Sequence, residues 1–323
     1  MLQKAQKQHA TVDMTVMKGQ IQMTRLKKGI KRYYHYYLLL LLPIVYFIVF
    51  KYLPMYGAII AFNKYVPGGS PFGETWVGLK YFKMFFNDPT FWRCFLNTIR
   101  LSLLTLCIGF PAPIIFALLL NELRSVRYKK IVQTTSYLPH FISLVVIAGM
   151  INQLLSPSGG VINAILVKCN MEPIHFMARP EWFRTIYVIS EIWQNIGWNA
   201  ILYIAALSNV NTELYEASMI DGAGRFKQVI HVTIPGIMPT IVITLILTVG
   251  RLLSIGFEKV LLLYNELTYE TADVISTYVY RIGIGQNNYS FATAIGLFEA
   301  LIGLVLVTGA NTFARKYSEA SLW

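Results

Sequence analysis

The chain has 323 residues, of which only 14% are charged while 55% are hydrophobic, and its mean hydropathy is +0.50. A soluble domain usually carries about 25% charged residues, so the composition excludes an ordinary soluble protein and indicates a bilayer. The 28 Lys and Arg exceed the 16 Asp and Glu, which gives a net charge of +12. These basic residues stand in short segments between apolar runs, which favours lipid head groups over a nucleic-acid partner.

Residues 1–35 are polar and basic, and they predict a cytoplasmic N-terminal tail. A secretory signal has a shorter charged stretch and a small-residue cleavage site, so the apolar run that follows is interpreted as a retained span. Residues 36–314 are predicted to form an all-α integral membrane domain of six transmembrane helices, because a span needs about 20 mostly apolar residues. Residues 315–323 are predicted to be a cytoplasmic C-terminal tail. The six predicted spans are about 36–60, 98–121, 131–155, 184–208, 236–257 and 290–313.

The basic residues also predict the orientation of the chain, since they concentrate on the cytoplasmic side of a membrane. The N-terminal tail carries eight of them, the segment 121–130 four and the start of the C-terminal tail two, which is half of the 28. Both termini and the segment 209–235 are therefore expected in the cytoplasm. Segments 61–97, 156–183 and 258–289 are expected to face outward. The first of these is rich in aromatic residues, which fits either an interfacial belt or a docking surface for an external partner.

The cytoplasmic segment 209–235 predicts a compact helix–turn–helix on the inner face of the membrane. Asn211 can cap a helix by accepting backbone hydrogen bonds of its first turn, and Glu213 then lies near the positive end of the helix dipole. Gly222 and Gly224 are expected to break this helix and allow a sharp turn. A second short helix, at about 225–231, should then lead through Pro235 into the fifth span.

The spacing of this segment resembles the EAA loop of binding-protein-dependent ABC importer permeases, in which EAA is followed by three residues, G, nine residues and I-x-L-P. In this chain Ser218 replaces the third-position alanine, and Val232 and Ile234 replace Ile and Leu. The resemblance implies a type I ABC importer permease fold whose loop is a coupling helix seated in a cleft of the ATPase subunit. Glu216 would be its polar anchor. The alternative is an ordinary amphipathic surface helix. The coupling residues implied by the resemblance are Glu216, Ala217, Ser218, Gly222, Ala223 and Gly224.

The resemblance extends over nearly the whole chain, from about residue 33, through shorter phrases such as Leu53-Pro-Met-Tyr-Gly and Ser136-Tyr-Leu-Pro-His-Phe-Ile-Ser143. These phrases are similar to the sugar-importer branch, and most similar to LplB-like, aldouronate and alginate permeases. The expected function is import of a complex oligosaccharide, with an acidic one as the first candidate and a neutral one or another small solute as the alternative. Membership implies a bacterial cytoplasmic-membrane location, a second homologous permease, two ATPase copies and an extracellular or periplasmic solute-binding protein.

The chain itself has no recognisable catalytic or cofactor-binding motif. It lacks GxxxxGK[ST], so ATP and magnesium are expected to bind to a separate ATPase subunit. No metal or disulfide pattern links Cys94, Cys107 and Cys169. A membrane-embedded enzyme would need convergent acidic or nucleophilic groups, and a secondary transporter would give the EAA loop no role. We therefore expect a transport subunit that is not an enzyme.

Polar residues at membrane depth are costly and usually face a cavity or a partner, so they are candidates for the solute path. The fourth predicted span carries such residues flanked by two tryptophans, whose faces suit sugar rings, and Arg251 could meet a carboxylate of an acidic sugar. The alternatives are bonds between helices and an Arg251 side chain that reaches the outer surface. His140 is expected to be a packed polar residue. The path candidates are Glu191, Trp193, Gln194, Asn195, Trp198, Asn199, Arg251 and Glu299.

Overall fold

The computed structural model describes residues 32–317 and 321–322. Most of the predicted N-terminal tail and parts of the C-terminal tail lie outside the described residues. The chain forms two compact units that part between residues 59 and 60. In the first unit, one apolar helix, α1 (Arg32–Ala61), has a mean hydropathy of 2.1 over its most apolar window and reaches just past this boundary. It corresponds to the first predicted span.

The second unit is almost wholly helical over its described residues. A two-stranded antiparallel ribbon, β1 (Asn63–Lys64) with β2 (Thr75–Trp76), pairs Asn63 with Trp76. The first helices after β1 and β2 are α2 (Lys80–Phe86), α3 (Pro89–Asn121), α4 (Val126–Phe141), α5 (Leu144–Leu154), α6 (Val161–Lys168) and α7 (Pro180–Leu207). The remaining helices are α8 (Thr212–Ile220), α9 (Arg225–Gly250), α10 (Phe257–Leu263), α11 (Tyr269–Ala272), α12 (Ile275–Tyr280) and α13 (Tyr289–Tyr317).

Four helices of the described residues are long and apolar enough to cross a membrane, and they are α1, α3, α9 and α13. The bent pair α4–α5 would make a fifth. The predicted fourth span corresponds to α7, which has 28 residues but is not among these apolar helices. Its length is ample at about 1.5 Å per residue. Its hydropathy is reduced by the polar residues that sequence analysis selected as path candidates.

The third predicted span, 131–155, is not one straight helix. Helices α4 and α5 meet at a bend of 100°. The last turn of α4, Leu138–Phe141, is a tight 3₁₀ turn that contains Pro139. Ser143 then starts a new helix by accepting a hydrogen bond from the backbone N–H of Val146. Because proline lacks a donor and serine is a favoured N-cap, the local sequence ends one helix and begins another.

The fifth predicted span, 236–257, ends earlier than expected. Helix α9 stops at Gly250, and Arg251 leaves the helical conformation as its C-cap (φ −102°, ψ 13°). Gly250 and Gly256 flank the following turn, and Gly256 precedes α10. Arg251 therefore lies at the end of the helix rather than inside it, where the negative end of the helix dipole favours a cation.

Helix α7 lies at the centre of the second unit. Its Tyr203 packs in a buried cluster with Ala117 of α3 and Ile237 of α9. Its Phe183 and Tyr187 pack in another cluster with Val260 of α10. The polar face of α7 is thus held at fixed positions against α3, α9 and α10.

Candidate solute path and coupling loop

A cavity of about 530 Å³, called the Arg251 cavity here, lies between α3, α7 and α9. Glu191, Asn195, Trp198 and Asn199 of α7 line it, and Arg251 lines it from the end of α9. Five of the eight path candidates are thus brought together. The volume falls within the range of about 300–1,000 Å³ that is usual for small-molecule sites. Among the described residues Arg251 has no acidic partner within ion-pair distance, so its charge is available to a solute.

A second cavity of about 550 Å³, called the Lys259 cavity here, lies next to two of the same α7 residues. Glu191 and Asn195 line both cavities. The Lys259 cavity is also lined by Gln194, by His140 of α4 and by Lys259 of α10. The two cavities therefore share one wall, which is formed by the polar face of α7.

A chain of hydrogen bonds runs through this shared wall. His140 Nδ1 lies 2.8 Å from Asn195 Oδ1, and Asn195 Nδ2 donates to Glu191 Oε1 at 2.6 Å. The other oxygen, Glu191 Oε2, accepts from Lys259 Nζ at 2.8 Å. Since the Asn195 oxygen must accept when its nitrogen donates, the network assigns the His140 proton to Nδ1. The His140 ring also stacks on Trp198, with centroids 4.4 Å apart and planes 4° from parallel.

Lys259 is almost fully buried, with 4% of its side chain exposed, whereas Glu191 retains 31%. Burial lowers the pKa of Lys259, and the nearby carboxylate of Glu191 opposes this effect. A buried ammonium is costly without a partner, so removal of Glu191 alone would leave an uncompensated charge between α10 and α7. Lys259 was not among the path candidates, because these were taken from within the predicted spans and Lys259 lies two residues beyond the predicted end of the fifth span. Its position just before an apolar run, Val260–Leu263, was the available signal.

Two path candidates lie elsewhere, and one lines only the second cavity. Trp193 and Glu299 line neither cavity, and Glu299 instead contacts Ser254 Oγ at 3.4 Å. Gln194 lines the Lys259 cavity and is 6% exposed, and its Oε1 has no hydrogen-bond partner among the described residues. His140, expected only to pack, both packs and takes part in the polar network.

The predicted coupling loop forms the expected helix–turn–helix. Asn211 caps α8 by accepting from the backbone N–H of Glu213 at 3.0 Å. The helix ends at Ile220, and Gly222 turns the chain with φ +72°, a conformation that favours glycine. Gly224 is the N-cap of α9, so the second short helix continues without a break into the fifth helix.

The loop presents an exposed surface that is both apolar and acidic. Glu216, Ala217, Gly222 and Gly224 are exposed, while Ser218 and Ala223 are half-buried. Two large apolar side chains flank the turn, Ile220 at 87% exposure and Phe226 at 78%. Such side chains at a glycine-containing bend suit insertion into a groove of another protein.

Two side-chain hydrogen bonds join α8 to the start of α9. Tyr215 Oη donates to Thr233 Oγ1 at 3.0 Å, and Gln228 Nε2 donates to Ser218 Oγ at 3.1 Å. Ser218 also donates to the backbone oxygen of Tyr215 at 2.8 Å. The serine at this position therefore makes a bond that an alanine could not. These hydrogen bonds fasten α8 to the first residues of α9.

The segment between α10 and α13 is held by a separate polar network. Asp273 is fully buried and accepts from Arg281 Nη2 at 2.6 Å and from Thr277 Oγ1 at 2.8 Å. The hydrogen bond to the Asp273 carboxylate raises the pKa of the Arg281 guanidinium. Asn97 of α3 donates to the backbone oxygens of Glu270 and Asp273. This network fixes α11 and α12 on α3 and lies apart from both cavities.

The structure combines apolar helices of spanning length with polar-lined cavities beside a central helix and an exposed apolar loop. A membrane transport permease would have these features. Residues 109–319 match the family of binding-protein-dependent transport system inner membrane components, and the chain belongs to that family. It is therefore a multi-pass inner-membrane permease subunit of an ABC importer and carries no catalytic activity of its own. Membership implies an ATPase partner.

Named relatives agree with this membership. The chain is 43% identical to the polygalacturonan/rhamnogalacturonan transport system permease protein YteP of Bacillus subtilis, over 100% of both chains. It is 44% identical to protein LplB of the same organism, over 87% of this chain and 88% of the other. Among solved structures it is similar to a bacterial ABC transporter involved in import of the acidic polysaccharide alginate. That match has 44% identity, a TM-score of 0.84, and covers 90% of this chain and 99% of the other.

Proposed function

We propose that this chain is a permease subunit of an importer for acidic oligosaccharides. The observation that carries the proposal is the Arg251 cavity, where a cation lies opposite hydrogen-bonding groups and Trp198. Sugars combine a stackable face with hydroxyl groups, and an acidic sugar adds a carboxylate for the guanidinium. The similarity to the alginate permease supports the same solute class. Relatives at lower identity include an arabinooligosaccharide permease of Halalkalibacterium halodurans, 32% identical over 81% of this chain, which keeps a neutral oligosaccharide as the second candidate.

The path would comprise Glu191, Asn195, Trp198, Asn199 and Arg251 around the Arg251 cavity, with Gln194 in the Lys259 cavity. A polar wall of this kind offers a sugar hydrogen bonds in place of those it loses on leaving water. Trp193 and Glu299 have no part in the proposed path, because they line neither cavity.

The helix–turn–helix of α8 and the start of α9 would transmit ATP hydrolysis to the path. Glu216 and the exposed side chains around Gly222 would occupy a cleft of the ATPase subunit. The bonds from Tyr215 and Ser218 to the base of α9 would carry the movement into the helix that ends at Arg251. Closure of the ATPase pair and docking of a loaded binding protein would then bias one conformational equilibrium from two distant sites.

The proposed arrangement has six spans, with α7 as the fourth and the pair α4–α5 as the third. Residues 1–35 and 315–323 would be cytoplasmic tails of the permease domain 36–314. The partners would be a second homologous permease, two ATPase copies that bind ATP and magnesium, and an extracellular or periplasmic binding protein. The crystal structure of a bacterial alginate ABC transporter in complex with a periplasmic protein bound to alginate pentasaccharide supports the last of these partners.

The proposal is tested with the complete transporter in proteoliposomes that contain ATP. Uptake of labelled uronic-acid oligomers is compared with uptake of neutral oligomers of equal length, each presented with its binding protein. Preferential uptake of an acidic oligomer is expected. Uptake of neutral oligomers alone would transfer the proposal to the second candidate, and ATP-independent uptake of either kind would contradict an importer.

A further inference from the structure

Lys259 is the feature of the second cavity that the proposed path leaves unexplained. It is 3% exposed, lines the Lys259 cavity and is held by a carboxylate, Glu191, that also lines the Arg251 cavity. A lysine that served only to fasten α10 would not need a partner shared between two cavities. Since the paired Glu191 is the more exposed member, it is the side chain that can move away.

Glu191 can move away from Lys259 without losing every hydrogen-bond partner of its carboxylate. Only Oε2 accepts from Lys259, while Oε1 accepts from Asn195 at 2.6 Å. Asn195 is itself positioned by His140. When Oε2 leaves the lysine, one oxygen of the carboxylate therefore keeps a partner, which limits the cost of breaking a buried ion pair.

The charged side chains at the two cavities have a net positive charge, which one anion would neutralise. Arg251 and Lys259 are positive, and Glu191 is the one negative side chain in the wall that they share. Glu258 also lines the Lys259 cavity, but it is exposed, so water screens its charge. A single carboxylate from a solute would balance the two cations once Glu191 is counted.

A neutral acceptor completes the Lys259 cavity. Gln194 is buried, and its Oε1 has no hydrogen-bond partner among the described residues. A buried amide oxygen without a partner costs about 1–3 kcal/mol, and a hydroxyl group of a ligand would remove that cost. The cavity thus offers a cation for a carboxylate, and Gln194 supplies an acceptor for a hydroxyl once its enclosed Oε1 turns toward the ligand.

We propose that Lys259 is a second carboxylate-binding residue for an acidic sugar, with Glu191 as its exchangeable partner. The sugar carboxylate takes the place of Glu191 Oε2 at Lys259, and Glu191 turns to the guanidinium of Arg251. When the sugar carboxylate moves on to Arg251, Glu191 returns to Lys259. Once the acidic sugar is bound, each of these charges has a partner at both positions, whereas a neutral sugar cannot displace Glu191. This inference rests on the proposed function and adds a second residue that binds a carboxylate of the acidic sugar.

The test measures binding of an alginate tetramer and its carboxyl-reduced counterpart to the purified complex of both permeases and the ATPase subunits. Calorimetry is used without the binding protein, so that the permease alone sets the affinity. Lys259→Met should weaken binding of the acidic tetramer about tenfold, since a charge-assisted hydrogen bond is lost. Glu191→Gln should strengthen it, because the competing carboxylate is gone. Lys259→Arg should retain the preference for the acidic tetramer.

The opposite signs of the two substitutions separate this role from a purely structural ion pair. A structural pair would make Glu191→Gln and Lys259→Met weaken both tetramers alike, and that result would overturn the proposal. Glu181→Gln removes the same charge from an exposed position on the same helix, outside both cavities, and should change affinity less than about twofold. If Lys259→Met does not assemble, the double variant with Glu191→Gln leaves no unpaired buried charge, and it should still lose about tenfold of the wild-type preference for the acidic tetramer. Retention of that preference would overturn the proposal, while intact uptake of acidic oligomers by the wild type would leave the proposed function standing.

Discussion

At the scale of single residues, the charges that line the cavities carry the proposed selectivity. Sequence analysis selected the polar face of α7 because such residues are costly in a bilayer, and five of eight candidates do line one cavity. Lys259 was not among these candidates, since its place before the apolar run Val260–Leu263 is only a weak signal and the fold is needed to bring α10 beside α7. Trp193 is the opposite case, because it was selected from the sequence but lines neither cavity. It neighbours polar residues in the sequence, but the helical repeat turns it away from both cavities.

Replacement of Arg251 by Leu is expected to reduce uptake of acidic oligomers about ten- to hundredfold, because a charge-assisted hydrogen bond to a carboxylate is worth about 1.5–3 kcal/mol. The measurement is the initial rate of uptake into ATP-loaded proteoliposomes. Arg251→Lys serves as the matched control and should keep most of the rate, since the positive charge remains. Unchanged uptake by Arg251→Leu would remove this residue from the path.

At the scale of elements, the packing of helices against α7 decides where its polar face lies. Capping and glycine signals predicted α8 and its turn closely, because these depend on neighbours in the sequence. The break between α4 and α5 was not predicted, although Pro139 and Ser143 are both local signals, since the apolar run continues through them. The end of α9 at Gly250 was missed for the same reason.

The crossing of α4 and α7 depends on Gly197. A Cβ atom there would lie 2.3 Å from the backbone oxygen of Ser136 in α4, a contact that the backbone cannot relieve without moving. Gly197→Ala is therefore expected to destabilise the protein by about 1–3 kcal/mol and to lower its melting temperature in detergent. Gly296→Ala in α13 is the matched control, because nothing lies within 4 Å of its Cβ position. Equal melting temperatures for the two variants would contradict the close approach of α4 and α7.

At the scale of the whole molecule, the proposed topology fixes which surfaces meet which partners. Hydropathy identifies four spanning helices and a bent fifth among the described residues, and the polar α7 escapes it. The proposed path gives a reason for this low hydropathy, since a helix that lines a path for sugars cannot be uniformly apolar. The orientation is predicted from the distribution of basic residues, which are expected on the cytoplasmic side of the membrane. The coupling loop and both tails are therefore predicted to lie in the cytoplasm.

Cysteine labelling in intact cells tests this orientation. Cys169 is exposed and lies in the segment 156–183, which is predicted to face outward. With Cys94 and Cys107 replaced by Ser, a membrane-impermeant maleimide is expected to label Cys169 from outside. In the same background, Cys169→Ser with Asn209→Cys should be labelled only after the membrane is permeabilised. The reverse pattern would invert the topology.

The most direct test of the importer role is the ATPase activity of the reconstituted complex with and without sugar-loaded binding protein. Wild type is compared with a variant that carries Glu216→Ala and Gly222→Asp, and with Glu213→Ala as a control on the same exposed helix. Stimulation by an acidic oligomer is expected in wild type and in the control, and it should be lost in the double variant, because the loop no longer fits the ATPase cleft. Undiminished stimulation in the double variant would contradict the coupling role of α8 and the importer mechanism built on it.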